Sequence, residues 1–398
     1  MNGNKNNQRN GNGGSAARKA VELRLAVSYA HSRGDLLGIA KYSRLHGDWE
    51  FFGGPKTEKL AISPMPVGQP DGIIAQVTEP AMAEQLQKFD APVVNISGAL
   101  EHPPFPTVRV DDHAVGRLAA QHLLHRGFTR FLVVHAASKA FSRRRLEGFQ
   151  HAVRDARPDA HCHVHNIDYN KHVHPIEYQR DVRRDLEGVA LPVAIFAVTD
   201  FLAYLAMSAC RDVNLRVPHD AAIIGVDNDP LTCELAAPPL SSVDINAECV
   251  GYRAAEMLDS LMGGQTPPKA PVLIMPVGVV TRRSTDVLAI DDPLVANALE
   301  YIHQRATDGI QVPGVAGDLD VSRRTLERRF RKALNCTPAE EIRRTRTAQA
   351  IRLLRETDLP IAEIATRCGF RYAQHLAPVI QDATGLTPTE FRRESRVT

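Results

Sequence analysis

No two cysteines of this 398-residue chain stand in a C-x-x-C spacing; the six thiols, Cys162, Cys210, Cys233, Cys249, Cys336 and Cys368, are scattered. Such scatter argues against both a disulfide framework and a zinc site, so the thiols read as reduced and buried. No run approaches the roughly 18 apolar residues that span a bilayer. The opening MNGNKNNQRNGNGGSAARKA lacks the apolar stretch of a secretory signal. A cytoplasmic protein with no membrane partner is expected. Also missing are G-x-S-x-G, a P-loop, H-E-x-x-H and a G-x-G-x-x-G between strand and helix; the G-N-G-G at 11–14 lies in a polar tail. Neither an enzyme nor a cofactor site is expected.

What is present is an ordinary globular composition, 43% hydrophobic and 24% charged, in a chain long enough for two or three domains. Residues 1–20 are Asn/Gly-rich and too polar to offset the entropy of ordering, so a disordered tail is expected there. From Leu23 onward, strand candidates (Leu23 to Tyr29, Gly72 to Val77, Pro92 to Ile96, Phe131 to Val134, Val193 to Val198, Ala222 to Val226) alternate with amphipathic helix candidates. The helices are Leu36 to Leu45, Ala81 to Phe89, Ala114 to His125, Arg145 to Val153, Phe201 to Arg211 and Val250 to Met262. This alternation belongs to parallel sheets, and its length predicts two stacked α/β lobes over residues 21–285. His161, His163 and His165 share one strand face, with His172 and His174 following; an exposed edge strand explains them better than a metal site. After Thr285 the pattern turns helical. Asp291-Asp292-Pro293 marks a start, and breaks at Gly309, Pro313, Pro338, Pro360, Gly369 and Pro388 divide an all-α domain over 291–398.

The net charge of +2 conceals a local excess: between Ser322 and Arg355 stand eleven Arg or Lys against three acids. That density suits a polyanion, or equally a solvated helix face. Spacing adds more. Ser322 can cap a helix on which Leu326, Phe330 and Ala333 face inward while Arg324, Arg328 and Arg331 face outward. An outward arginine can donate twice to guanine in a major groove, and neighbours such as Arg323 can neutralise phosphates. A second helix-turn-helix pattern follows, with Ile361 to Ala365 as first helix, a turn at Arg367 to Phe370, and Tyr372 to Ala383 as second helix. Between the two, Ala339 to Glu356 forms an amphipathic helix with Ile342, Ala350, Leu353 and Leu354 available for packing.

The strings SRRTLERRFRKALNCTP (322–338), RLLRETDLPIAEIA (352–365) and CGF…TGLTPTEF (368–391) resemble the AraC-type DNA-binding domain. The resemblance implies base contacts from Arg324, Glu327 and Arg328 in the first unit and from Gln374 and His375 in the second. The chain departs from that pattern at Pro378 and Gln381-Asp382, where basic or polar residues are usual. A proline inside a helix costs on the order of 3 kcal/mol, so a kinked second unit with a weaker grip on phosphate is expected.

Upstream, VRVDDHAVGRLAAQHLLHRG (108–127), RLEGF (145–149), AVTD (197–200), IGVDND (224–229), LSSVD (240–244) and VTRRST (280–285) resemble the sugar-sensing domain of LacI-type repressors. The resemblance implies a two-lobed, periplasmic-binding-protein-like fold, and the order of modules is similar to that of bacterial xylose-operon regulators. A polyol is held by carboxylates, arginines and an aromatic wall at the carboxyl ends of parallel strands. Asp200, Asp227 and Asn228 lie at such ends; Arg143, Arg145 and Phe141 follow another, and Arg33 and Asp35 face the cleft from the first βα junction. The plainer alternatives are helix capping for Asp200 and Asp227, pairing with Glu147 for Arg145, and surface charge for Arg33 and Asp35. The expected partners are operator DNA, a small sugar, a second copy of the chain in a homodimer, and RNA polymerase. A DNA-binding regulator whose sensor half only dimerises, or takes a ligand other than a sugar, is the competing reading.

Overall fold

The computed structural model describes residues 18–26, 30–47, 49–53, 69–167, 175–290, 292–384 and 386–395. Most of the expected tail, the end of the Leu23 to Tyr29 segment, His172, His174 and Asp291 lie outside those residues. Short β-branched runs buried on both faces, such as Gly72–Ala75 and Ala221–Val226, form parallel strands because helices cover them on either side.

The first lobe opens with β1 (Ala20–Arg24), α1 (Ala30–His46), β2 (Glu50–Gly53), β3 (Gly72–Ala75), α2 (Pro80–Leu86) and β4 (Val93–Asn95), in the parallel order β2-β1-β3-β4. After β5 (Val108–Val110) the chain crosses to the second lobe. There it forms α3 (Asp112–Leu124), β6 (Arg130–His135), α4 (Ala140–Ala156), β7 (His161–Asn166), α5 (Pro175–Leu186), β8 (Val193–Ala197), α6 (Asp200–Asp212), β9 (Ala221–Val226), α7 (Pro230–Leu235) and β10 (Ser241–Asp244). It then returns: α8 (Ala247–Met262) packs with the first lobe's core and β11 (Val272–Ile274) pairs with β5. A third crossing brings β12 (Gly278–Val280) antiparallel onto β10, completing the order β12-β10-β9-β8-β6-β7. The lobes are thus interleaved rather than successive.

Phe131, Phe149 and Phe196 centre the second lobe, with Phe149 stacked on Phe196 at 4.8 Å. In each lobe two helices cross where a side chain has no room. A Cβ on Gly116 of α3 would lie 2.0 Å from the Arg145 carbonyl oxygen of α4, and one on Gly251 of α8 would lie 1.9 Å from the Asp35 carbonyl oxygen of α1. Only glycine permits such backbone approach.

Residues 292–395 are all-helical: α9 (Pro293–Arg305), α10 (Val312–Asp318), α11 (Arg323–Leu334), α12 (Pro338–Glu356), α13 (Ile361–Arg367), α14 (Ala373–Thr384) and α15 (Pro388–Ser395). Asp292 caps α9, Ser322 caps α11, and Thr337 with Glu340 forms a reciprocal box on α12. α12 joins two small cores, one built on α9, α10 and α11, the other on α13, α14 and α15. Leu334, not Ala333, completes the buried stripe of α11 with Leu326 and Phe330. α14 runs on through Pro378, whose ring is exposed. Among the described residues no helix is long and apolar enough to cross a membrane.

Replacing Gly116 with alanine forces α3 and α4 apart and should destabilise the protein by about 1–3 kcal/mol. Gly317→Ala in α10, where nothing lies within 4 Å of the added methyl, should instead stabilise by up to about 1 kcal/mol. Thermal melting of the two variants decides; equal shifts would contradict this packing.

Candidate functional site

The carboxyl ends of both sheets face one cleft. Arg145, in the second turn of α4, is buried: its Nε donates to Asp112 Oδ1 at 3.1 Å, its Nη1 donates to the Val198 carbonyl at 2.6 Å, and Asp227 Oδ1 lies 3.8 Å away. Phe141, one turn earlier, stacks under that guanidinium at 4.9 Å. Asp227 ends β9 with φ at +112°, a region that side chains other than glycine rarely adopt. Its N–H donates to the Val243 carbonyl at 3.0 Å. Helix capping does not explain it, because Asp229 caps α7 by accepting from Thr232 N at 3.1 Å. From the opposite lobe comes Asp35, buried beside Gln76, whose amide also donates to Ser32 at 2.8 Å.

Four of the expected ligand residues are engaged elsewhere. Asp200 is 1% exposed, and its carboxylate accepts from Ser242 Oγ at 2.6 Å and Asp229 N at 2.8 Å, so it anchors the loop instead of lining the cleft. Asn228 is likewise spent, donating to Asp244 at 3.3 Å and accepting from Arg282 at 3.0 Å. Arg33 reaches across the cleft to Asp229 at 2.7 Å, and Arg143 pairs with Glu101 at 2.7 Å on the rim; both tie one lobe to the other. Sequence reasoning missed Asp112, Gln76 and Arg144. Arg144 Nη2 donates to the Gly98 carbonyl at 2.8 Å and to Asp112 at 3.1 Å. The VRVDD string did contain Asp112, but nothing local shows which arginines it meets.

Burial pushes the carboxyls of Asp35 and Asp227 well above the ordinary range, against the pull of Gln76 on the first and Arg145 on the second. It raises Asp200 to about 7, and lowers His31 to about 4 with help from Arg145. Burial therefore disfavours the ionised form of both cleft carboxyls, Asp35 and Asp227. Hydroxyl groups of a ligand could donate to these carboxylates and restore what burial removed.

On the helical half, Arg324, Arg328 and Arg331 stand exposed along one side of α11, opposite the buried stripe. Arg323 pairs with Glu327 at 2.7 Å, so either would have to break that pair to meet a base. Gln374 and His375 are exposed in the first turn of α14. Part of the basic excess is committed inside the protein: Arg329 pairs with Asp292 at 3.1 Å, Arg346 donates to the Ala306 and Ile310 carbonyls, and Arg355 pairs with Asp244 at 2.9 Å.

The last contact belongs to a seam between sensor and helical half. Asn335, the left-handed C-cap of α11, donates to the Ala156 carbonyl at 2.9 Å, and Arg157 reaches the Ala333 carbonyl. Nearby, Arg344 meets both His125 and Glu341, His303 meets Glu341 at 2.9 Å, and His122 meets Thr285 at 2.8 Å. Burial holds the rings of His122 and His125 neutral, helped by Arg126 on the first and by Arg344 and Arg126 on the second, so that both fall well below 6.5. Below pH 6.5 the unfolded chain takes up protons that the folded one refuses until well below that value, so stability is lost as the pH falls from 6.5. The melting temperature should drop between pH 7 and 5, and His122→Gln should flatten the drop. Melts at the two pH values test this; an unchanged slope in the variant counts against it.

A family model described as a periplasmic binding protein-like domain matches residues 120–285, and one described as a helix-turn-helix domain matches residues 315–394. The xylose operon regulatory protein of Haemophilus influenzae is 32% identical over 334 residues, 81% of this chain and 84% of that one. That of Escherichia coli strain K12 is 29% identical over 387 residues, 94% and 97% of the two chains. A solved structure of the xylose-binding transcription activator xylR superposes with a TM-score of 0.60 at 28% identity, covering 94% of this chain and 98% of that one. With two lobes and paired helix-turn-helix units in one chain, and a relative this similar along most of its length, the protein belongs to the family of the xylose operon regulatory proteins, which are transcription regulators and not enzymes.

Proposed function

We propose that residues 21–285 sense a small sugar, xylose or a related monosaccharide, and that residues 291–398 read an operator whose occupancy depends on that sugar. The observation that carries this reading is Arg145 with Asp227 and Phe141 at one end of the cleft and Asp35 at the other: acceptors and donors for hydroxyls, with an aromatic face for the C–H side of a sugar ring. Sugar bound there would favour the closed pair of lobes and so bias the seam with the DNA-reading half. The protein acts, on this reading, in the cytoplasm and as a homodimer. Leu231 and Leu235 of α7, 60% and 78% exposed, and the exposed Phe201 and Tyr204 of α6 offer apolar surface that a second copy would cover. RNA polymerase is the remaining proposed partner, through its meeting with the regulator at the promoter.

Titration calorimetry of the full chain with xylose, arabinose, ribose and glucose tests the sensor. Asp227→Ala should cost about 1.5–3 kcal/mol, one to two decades in affinity, while sugar-free DNA binding survives. Undiminished binding by this variant would move the pocket elsewhere, and the absence of heat with every sugar would favour a sensor half that only dimerises. On the DNA side, Arg324→Ala should weaken operator binding by about 1–3 kcal/mol and leave random DNA nearly unaffected. Equal losses on both would make Arg324 a phosphate contact.

A further inference from the structure

Helix α14 contains neither lysine nor arginine; Asp382 is its acidic residue, and Pro378 sits exposed where a recognition helix would face DNA. Proteins hold DNA largely through cations on phosphate, so α14 itself must engage its site by other means.

Directly ahead of α14 stands Tyr372, 53% exposed and, among the described residues from 292 to 395, the one large apolar side chain that projects into solvent. Its ring is held in place. His375 meets it edge-on with 5.6 Å between centroids, the Arg371 guanidinium lies 5.6 Å from its centre, and the His375 N–H donates to its carbonyl at 3.0 Å. In the corresponding place ahead of α11 stands Ser322, whose hydroxyl accepts from Thr325 N at 3.1 Å. A phenol oxygen at the far side of a ring cannot fold back to make that bond. The position forgoes a capping side chain and places a flat apolar plate where recognition helices meet base edges.

Resting on the DNA-binding reading of this half, we propose that Tyr372 is a specificity residue of the second unit, its ring packed on the 5-methyl group of a thymine in the major groove. Arg371 and His375 position the ring. The thymine methyl is the apolar feature of that groove, and apolar side chains are its natural contact. The contact needs no basic residue on α14.

The test uses the full-length protein and a duplex it selects from a randomised pool, in which each thymine is replaced in turn by deoxyuridine, which lacks only the methyl. Wild type should lose about fourfold in affinity at one position, the worth of one buried methyl group. Tyr372→Ser should bind both versions alike there, yet melt no lower than wild type, because serine supplies the missing cap. Tyr372→Phe keeps the ring and should keep the discrimination; its loss would count against an apolar contact. A Tyr372→Ser protein that retains the wild-type penalty at every position overturns the proposal. A pool that yields no preferred duplex overturns the DNA-binding reading, and this inference with it.

Discussion

Asp112 is a single buried carboxylate meeting three guanidinium groups, those of Arg109 at 3.2 Å, Arg144 at 3.1 Å and Arg145 at 3.1 Å. It is the first residue of α3, directly after the chain crosses between lobes. Buried charges persist only when paired and hydrogen-bonded, so the cleft is organised around this anion. Arg145 is held toward Asp227, Arg144 toward Gly98 and Glu101 of the other lobe, and the crossing itself is pinned. Without Asp112 the same arginines would be buried cations in search of partners.

Local signals carried the helical half and only part of the cleft. Ser322, Thr337 and the proline and glycine breaks are punctuation that works over three or four residues, and the observed helices begin and end close to them. Asp200 and Asp227 look alike in sequence, each an aspartate closing a strand. What separates them is Ser242, which arrives from β10 and claims Asp200. No local pattern carries that information. The interleaving of the lobes was hidden for a related reason: β5, β11 and β12 have three residues each, too few for a period to register.

Charge counting needed a similar correction. The eleven basic residues between Ser322 and Arg355 suited a polyanion or, equally, a solvated helix face. Arg329, Arg346 and Arg355 instead hold α9, the turn before α10, and the sensor. Of those eleven, most of the exposed ones lie on α11, whereas α14 carries no basic residue but histidine.

Helix α4 touches both halves of the molecule. Its first turns carry Phe141, Arg143, Arg144 and Arg145 at the cleft, while Ala156 and Arg157 grip the last turn of α11 at its far end. Gly148, midway along its 17 residues, is pressed against the His113 carbonyl of α3, where a Cβ would lie 2.2 Å from that oxygen. Gly116 of α3 presses on the same helix at Arg145, so α4 is held along its cleft-facing half and its two tips lie about 12 Å either side of Gly148 at the rise of an α-helix. On the reading proposed above, a shift of α4 beside a bound ligand would be felt where its other tip meets the last turn of α11.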